Sequence, residues 1–173
     1  MAELQVIQEG AQYWLRCAAH RFRCVVGAAG LIAANDKQEG DNATPRGRWP
    51  LRGLYYRADR IASDRLAGYS AFSPAAIGKQ DGWCDDPEDA AYNMKVNLPY
   101  PARHETLWRE DGLYDLIIPL GYNDTRPVPH KGSAIFLHCA PEGIASTKGC
   151  VALAAEDLLV VLNYLEKDSY LVI

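Results

Sequence analysis

The sequence has 173 residues, with 22 acidic and 18 basic side chains and a formal net charge of −4. This length fits one compact domain, so we treat residues 1–173 as a single domain. Because no block of Lys and Arg occurs, and no stretch approaches the ~18 consecutive apolar residues that cross a membrane, we expect neither a nucleic-acid partner nor a membrane span.

The first twenty residues lack the pattern of a secretory signal peptide. Glu3 and Glu9 stand where such a signal has a basic start and an uninterrupted apolar run. The five cysteines are odd in number and show no tight paired spacing, which favours reduced thiols over a disulfide framework. The sequence therefore predicts a cytoplasmic protein, with a periplasmic one as the alternative if the natural N-terminus differs. Nothing in it indicates an oligomeric state.

Three strands are predicted at the start of the chain. Apolar and polar residues alternate from Leu4 to Val26, and Glu9 and Gly10 suit a turn between the first two strands. We expect an antiparallel meander.

The middle of the chain is less regular. Residues 27–47 are rich in glycine, asparagine and aspartate, which predicts a long loop. Residues 48–57 return to strand character, whereas residues 58–105 show no clear pattern.

The second half of the chain predicts two core strands and one helix. Residues 113–120 and 133–138 are short apolar runs rich in branched and aromatic side chains, as in buried strands. Apolar residues then recur at spacings of three and four from Ala154 to about Lys167, which predicts a helix. Residues 170–173 are predicted to close the sheet as an edge strand. The expected fold is mainly β with one packed C-terminal helix.

A histidine and a cysteine flank the polar loop that follows the second of these core strands. Cysteine attacks as its thiolate, so it needs a base such as the His138 imidazole to take the proton from Cys150. Gly149 has no side chain, so a substrate carbonyl could approach the N–H groups of Gly149 and Cys150. We predict catalytic roles for Cys150, His138 and Gly149. From the residues alone, the alternative is a strand-end histidine and a small buried cysteine.

This segment resembles the signature of the L,D-transpeptidase (YkuD-like) family. In that signature a strand-end histidine precedes a variable loop and Ser/Thr-x-Gly-Cys, matched here by His138, Thr147, Gly149 and Cys150. Residues 43–51 (ATPRGRWPL) are similar to the family's upstream Thr-Pro-x-Gly-x-aromatic-Pro motif. With the β-rich stretch between them, the two motifs extend the resemblance over nearly the whole chain.

The resemblance implies a β-sandwich-like catalytic domain, and we expect no cofactor. In the family the cysteine attacks the amide after the L-centre of diaminopimelate or lysine in a peptidoglycan stem tetrapeptide. Terminal D-alanine leaves, and a thioacyl-enzyme remains. An amine acceptor then gives a cross-link, whereas water gives a tripeptide. The family histidine is oriented by a main-chain carbonyl more than by an acidic side chain.

The sequence departs from the family pattern in three ways. Cys139 replaces the glycine that usually follows the histidine, the loop to the cysteine is short, and Ala152 replaces a frequent arginine. Lys148, Arg46 or Arg48 could supply a replacement cation, although each is more often a solvated surface charge.

The remaining assignments are substrate-binding residues around the loop and the core strands. We predict this role for Thr147, Lys148, Ser146, Tyr122, His104 and Arg46. The alternatives are core or loop-anchoring roles for the aromatic and histidine side chains and a solvated surface position for the cations.

Cys139 has two further interpretations. It could be a redox partner of Cys150, but we favour a filler on the opposite face of its strand. A zinc site built from His138, Cys139 and Cys150 lacks the usual ligand spacing, so we expect no metal.

Three functions are compatible with the sequence. The first is a cytosolic L,D-carboxypeptidase that trims tetrapeptides during muropeptide recycling. The second is an L,D-transpeptidase that forms peptidoglycan cross-links outside the cytoplasmic membrane. The third is an inactive module that binds stem peptides or muropeptides. We favour the first.

Overall fold

The computed structural model describes residues 3–66, 69 and 71–173. Over these residues the chain forms fifteen strands, one α-helix and a short 3-10 helix, Ser63–Leu66. The strands are β1 Leu4–Glu9, β2 Gln12–Cys17, β3 His20–Val25, β4 Leu31–Ala33, β5 Thr44–Arg46, β6 Arg48–Pro50, β7 Tyr55–Tyr56, β8 Ala75–Ala76, β9 Asp81–Cys84, β10 Lys95–Asn97, β11 His104–Thr106, β12 Leu116–Pro119, β13 Phe136–Cys139, β14 Val151–Leu153 and β15 Tyr170–Val172; the helix is α1 Ala155–Leu162.

Ten of these strands form the main sheet, in the order β6-β15-β1-β2-β3-β14-β13-β12-β7-β8. The predicted meander is confirmed, since β1, β2 and β3 pair antiparallel with Leu4 opposite Cys17 and Tyr13 opposite Cys24. Gly10 turns the chain between β1 and β2 at φ +60°, a value that glycine adopts without steric cost. The fold is mainly β with a single α-helix in its described part, as predicted.

The two predicted core strands lie side by side in this sheet. β13 pairs antiparallel with β12, with His138 opposite Ile117, and parallel with β14, with His138 opposite Ala152. Both strands are shorter than the apolar runs that predicted them. Every residue of β12, β13 and β14 is buried, so this is the centre of the molecule.

The main sheet separates two apolar clusters. Because side chains alternate across a strand, neighbouring residues of β13 enter different clusters. Leu137 and Val151 belong to the larger cluster, which includes α1, whereas Phe136 and Ile117 belong to a smaller one. Trp83 of the three-stranded sheet β10-β9-β11 covers the smaller cluster, with its ring 5.0 Å from that of Phe136.

Helix α1 ends earlier than the sequence predicts. The periodic pattern extends to Lys167, but the helix stops at Leu162, and the next turn is tightened by bonds such as Leu165 N–H to the Leu162 carbonyl at 3.2 Å. Leu165 stays buried, so the apolar pattern continues although the helix does not. The chain turns here to bring Tyr170–Val172 back to the sheet.

The C-terminal strand is not an edge strand, contrary to the prediction. β15 lies between β1, with which it is parallel, and β6, with which it is antiparallel. The segment predicted as one strand at 48–57 divides accordingly: β6 pairs with β15, and β7 pairs with β12.

The two segments with weak patterns contain more structure than predicted. The predicted loop at 27–47 includes β4 and β5, which pair in parallel. Residues 58–105 supply β8, the 3-10 helix and most of the three-stranded sheet. No helix in the described ranges is long and apolar enough to cross a membrane.

Candidate active site

Two neighbouring strands place the predicted nucleophile and base on one face of the main sheet. His138 lies on β13, and Cys150 directly precedes β14. The Phe136 N–H donates to Cys150 Sγ at 3.3 Å, so the thiol lies beside Phe136, two residues along β13 from the histidine. Alternation puts Phe136 and His138 on the same side of the sheet. The imidazole and the thiol therefore face the same side, within the smaller apolar cluster.

The His138 ring is fixed by two main-chain carbonyls. Its Nδ1 lies 3.1 Å from the Leu113 oxygen and 2.8 Å from the Cys139 oxygen. Carbonyl oxygens only accept, so Nδ1 carries the proton, and in the neutral ring Nε2 has a free lone pair. Burial lowers the pKa of His138 to about 4, although both carbonyls favour the protonated form. At neutral pH the ring is therefore a base with Nε2 as its acceptor atom.

The Cys150 thiol is protonated and almost enclosed. The residue is 7% exposed, and its S–H donates to the Ala134 carbonyl at 3.1 Å. Burial raises the pKa of Cys150 to about 12; the Glu105 carboxylate also raises it, while the Phe136 N–H lowers it. Thiol and imidazole are thus both neutral at rest, which suits proton transfer during attack rather than a stored thiolate.

Tyr114 packs against this pair and is held by an acidic side chain. Its ring lies 5.3 Å from that of His138 and 5.9 Å from that of Phe136, edge-on in both cases. The Tyr114 hydroxyl donates to Glu105 Oε2 at 2.6 Å. Burial raises the pKa of Glu105, whereas the bond from Tyr114 lowers it. The sequence analysis did not identify Glu105, because no spacing along the chain places β11 beside this site.

The loop before Cys150 is organised by Thr147. The Thr147 hydroxyl donates to the Cys150 carbonyl at 2.7 Å and accepts from the Gly149 N–H at 3.1 Å. The predicted oxyanion role of Gly149 therefore needs correction, because its N–H is already bonded within the loop. Gly149 has φ +135°, and an added Cβ would lie 3.0 Å from the Ala43 carbonyl oxygen. Its observed role is conformational.

The two sequence motifs meet at the Cys150 backbone. The Thr44 hydroxyl, from the upstream Thr-Pro segment, donates to the Cys150 carbonyl at 3.4 Å and accepts from the Gly27 N–H at 2.8 Å. Two threonine hydroxyls, those of Thr44 and Thr147, thus hold the carbonyl of the nucleophile. Arg46 lies two residues further along β5 and is exposed.

The other predicted substrate-binding residues divide into two groups. Ser146 and Lys148 are exposed on the loop, and the positive charge of Lys148 lowers the pKa of Glu105. His104 is half-buried and lies on the face of β11 opposite Glu105, with Nδ1 2.7 Å from the Ala102 carbonyl.

Tyr122 is a core residue. It is 5% exposed, its ring lies edge-on 5.0 Å from that of Trp49, and its hydroxyl donates to the Lys131 carbonyl. The structure therefore contradicts the substrate-binding assignment of Tyr122 and supports the alternative, a core role. The assignment of the half-buried His104 stays a prediction.

Ala152 and Cys139 account for two departures from the family pattern. Ala152 lies opposite His138 with no exposed surface, so an arginine there would be buried beside the imidazole. The Cys139 side chain enters the larger apolar cluster, on the face opposite His138 and Cys150. These three side chains do not converge on a metal. Among the residues that the structure describes, no group of three or more His, Cys, Asp or Glu could hold one.

A cavity of about 350 Å³ lies next to the site. Phe136 and Trp83 form the wall on the side of the smaller cluster, and Asn93, Lys95 and Asp124 add polar atoms. Neither Cys150 nor His138 is among its lining residues. The cavity therefore adjoins Phe136, the neighbour of the thiol, but does not contain the thiol itself.

Residues 8–173 match the model of the YkuD L,D-transpeptidase catalytic domain. A search of curated proteins gave no match.

Several solved structures are similar at low identity. Bd1075 of Bdellovibrio bacteriovorus is 12% identical with a TM-score of 0.48, and covers 99% of this chain and 47% of its own. An L,D-transpeptidase from Mycobacterium smegmatis is 12% identical with a TM-score of 0.40, covering 99% and 58%. L,D-transpeptidase 3 of Mycobacterium tuberculosis, in complex with a faropenem-derived adduct, is 11% identical with a TM-score of 0.42, covering 99% and 60%. This chain thus spans about half to three fifths of their lengths.

The family match rests on nearly the whole chain, and the two motifs that predicted it meet at the Cys150 carbonyl. The chain belongs to the L,D-transpeptidase catalytic domain (YkuD) family.

Proposed function

We propose that this protein is a cysteine-dependent acyl-transfer enzyme that cleaves peptidoglycan stem tetrapeptides, with Cys150 as nucleophile and His138 as base. One observation carries the proposal: the imidazole and the thiol share a face of the sheet, and two carbonyls fix the His138 proton on Nδ1. Family membership supports the wider class, a cysteine enzyme that modifies peptidoglycan.

The proposed reaction has two half-steps. Cys150 Sγ bonds to the carbonyl carbon at the L-centre of diaminopimelate or lysine while its proton passes to His138 Nε2. The amide C–N bond then breaks, and the leaving D-alanine amine takes that proton. A water molecule attacks the thioester, gives a proton to Nε2 and releases the tripeptide, and the thiol recovers its proton.

The dry surroundings of the pair favour this order of events. Both groups are neutral at rest, because burial raises the pKa of Cys150 to about 12 and lowers that of His138 to about 4. A separate thiolate and imidazolium would be costly in this apolar cluster without a substrate. The charges therefore develop only as the carbonyl is attacked.

The acceptor distinguishes two versions of the proposal. We favour water, which makes the protein an L,D-carboxypeptidase of muropeptide recycling in the cytoplasm. Five free, buried cysteines suit a reducing compartment. Transpeptidation to an amine is the second candidate, supported by the activity after which the family is named. An inactive binding module is disfavoured, because both reactive groups are retained on one face.

The test uses a tetrapeptide muropeptide, with and without an excess of an amine acceptor, and measures product masses. Loss of one alanine without dimers is expected. Dimers or exchange of a D-amino acid would favour transpeptidation, and binding without any turnover would overturn the proposal. Cell fractionation tests the location separately.

Two cysteine variants provide the matched control for that assay. Cys150→Ala should abolish turnover, because its sulfur carries the acyl group. Cys139→Ala should retain turnover, because that side chain packs on the opposite face of the sheet. Equal activity of Cys150→Ala and the unsubstituted protein would rule out Cys150 as the nucleophile.

A further inference from the structure

Asn93 is a buried amide whose hydrogen-bonding capacity is fully used. It lies in the turn between β9 and β10, is 6% exposed and has φ +59°. Its Oδ1 accepts from the Trp83 Nε1–H at 3.0 Å and from the Ala134 N–H at 2.9 Å. Its Nδ2 donates to the Tyr122 carbonyl at 3.1 Å and the Asn123 carbonyl at 2.8 Å. An amide has two acceptor and two donor positions, and all four are occupied.

The first route from Asn93 to the thiol passes through Ala134. Ala134 has φ +52°, a left-handed conformation that costs a residue with a Cβ roughly 1–2 kcal/mol. Its N–H is bonded to Asn93, and its carbonyl accepts the S–H of Cys150 at 3.1 Å. Asn93 thus binds the N–H of Ala134, the residue whose carbonyl contacts the thiol. This hydrogen bond offsets the cost of the left-handed conformation of Ala134.

The second route passes through Trp83. The Trp83 ring lies edge-on to the Phe136 ring at 5.0 Å, and the Phe136 N–H donates to Cys150 Sγ at 3.3 Å. The bond from Trp83 Nε1 to Asn93 fixes the orientation of the indole. The sulfur has two hydrogen-bond partners, the Ala134 carbonyl and the Phe136 N–H. Both are therefore linked to the Asn93 side chain, the first directly and the second through Trp83.

We propose that Asn93 is a positioning residue that sets the location and the hydrogen bonds of the Cys150 thiol. It acts through Ala134 and Trp83 and does not contact the sulfur itself. The proposed turnover of stem peptides is the context for this role, but the arrangement of the thiol can be tested without turnover.

The Ala134 carbonyl favours the neutral thiol, because an oxygen lone pair accepts from S–H and repels a thiolate. Without the Asn93 side chain, Ala134 can leave its left-handed conformation, and the carbonyl moves away from the sulfur. The thiol should then ionise more easily and react faster with a small reagent. Acyl transfer to a substrate should become slower, because this reaction needs Sγ to be held in position against the substrate carbonyl.

The decisive variant is Asn93→Gly, because glycine adopts φ +59° without strain and only the side chain is lost. The rate of iodoacetamide alkylation of each cysteine is measured by peptide mass spectrometry from about pH 8 to 9.5. We expect the Cys150 rate to rise about tenfold, equivalent to about one pKa unit. The kcat for tetrapeptide cleavage should fall about tenfold, with KM changed less than about threefold.

The other four cysteines report on general loosening of the fold. All are buried, so a global effect would raise their alkylation rates together with that of Cys150. Leu158→Ala, in the larger apolar cluster, is the destabilised control. It should leave the ratio of the Cys150 alkylation rate to the rates of the other four cysteines unchanged. Trp83→Phe keeps an aromatic ring, although a smaller one, but removes the donor to Asn93, and it should shift the Cys150 rate in the same direction by a smaller factor.

The inference is overturned if Asn93→Gly leaves Cys150 alkylation unchanged, raises all five cysteines alike, or leaves kcat intact in an active enzyme. If the unsubstituted protein cleaves no stem peptide, the proposed function fails, while the alkylation rates still decide the role of Asn93.

Discussion

At the scale of single residues, the buried His138 ties the site to the stability of the molecule. Its pKa lies near 4 in the folded protein, against an ordinary value of 6.5, because burial disfavours the charged ring. As pH falls from about 6.5 to about 4, the unfolded chain takes up this proton and the folded chain does not. The free energy of unfolding should fall by up to ~3 kcal/mol over that interval from this group alone.

Urea unfolding of the unsubstituted protein and of His138→Gln, at pH values near 7.5 and 4.5, measures this contribution. The variant cannot protonate at position 138, so its stability should fall less on acidification. Every other side chain is the same in the two proteins, so its contribution cancels in the difference. Identical losses in the two proteins would mean that His138 is not neutral and buried.

Gly149 gives a second prediction at this scale, because its backbone and its surroundings both exclude a side chain. Its φ is +135°, and an added Cβ would meet the Ala43 carbonyl oxygen at 3.0 Å and Ile135 Cδ1 at 3.3 Å. Gly143, in the same loop, also has positive φ, +88°, but nothing within 4 Å of an added Cβ.

We expect Gly149→Ala to destabilise the protein by ~3 kcal/mol and Gly143→Ala by ~1 kcal/mol, as crowding adds to strain only at position 149. Thermal unfolding of both variants provides the measurement. A similar loss in the two would show that Ala43 and Ile135 move aside.

The parts of the site that could be predicted from the sequence are those that lie close together along the chain. His138 and Cys150 were found because one short segment contains both and resembles a known signature. Glu105 lies on β11 and Asn93 in the turn between β9 and β10, and no spacing along the chain indicates that these residues reach the site. Tyr122 was misassigned because proximity in sequence to a core strand does not tell which face a side chain occupies.

At the scale of elements, Thr147 connects several parts of the loop from β13 to β14. Thr147 Oγ1 bonds both the Cys150 carbonyl and the Gly149 N–H, and the Thr147 backbone bonds Val26 and Ala28 on the adjoining segment, each at 2.9 Å. Thr147→Val keeps the shape and removes both side-chain bonds.

We expect Thr147→Val to cost about 1–3 kcal/mol, because two backbone groups lose a partner, and to lower kcat. Thr147→Ser keeps the hydroxyl and should be close to the unsubstituted protein in both properties, whereas Ser146→Ala, at an exposed position of the same loop, should leave the stability unchanged. Chemical denaturation and the tetrapeptide assay measure the two effects. A stable, fully active Thr147→Val would contradict this role of the hydroxyl.

The elements were predictable where a pattern repeats over enough residues. Six-residue strands with alternating burial gave the meander, and the apolar runs located β12 and β13. Two-residue and three-residue strands such as β8 and β4 contain less than one full alternation on each face, so they could not be recognised. Helix α1 was overextended because Leu165 continues its spacing from a turn rather than from the helix.

At the scale of the whole molecule, the main sheet divides two tasks between its faces. One face packs on α1 and forms the larger apolar cluster, which includes Cys139. The other carries Cys150, Tyr114 and Phe136 and is covered by the smaller sheet. Substitutions in the larger cluster should therefore affect mainly the stability of the protein, whereas those in the smaller cluster should affect the reactivity of the Cys150 thiol.

The position of β15 gives the last prediction. It lies between β1 and β6, Leu171 has no exposed surface, and Ile173 and Gly47 exchange backbone hydrogen bonds at 2.9 and 3.1 Å. An edge strand would lose little if one of its side chains were shortened. An interior strand loses more stability, because the cavity left by the lost atoms is enclosed by neighbouring strands on both sides.

We therefore expect Leu171→Ala to lower the free energy of unfolding by roughly 2–5 kcal/mol. Val172→Ala, on the half-buried face of the same strand, should cost clearly less. Urea denaturation followed by tryptophan fluorescence provides the measurement, since Trp49 of β6 lies opposite Leu171 in the register. Equal, small losses in both variants would instead mean that the C-terminal strand lies at the margin of the sheet, because only there can a shortened leucine be replaced by solvent at little cost.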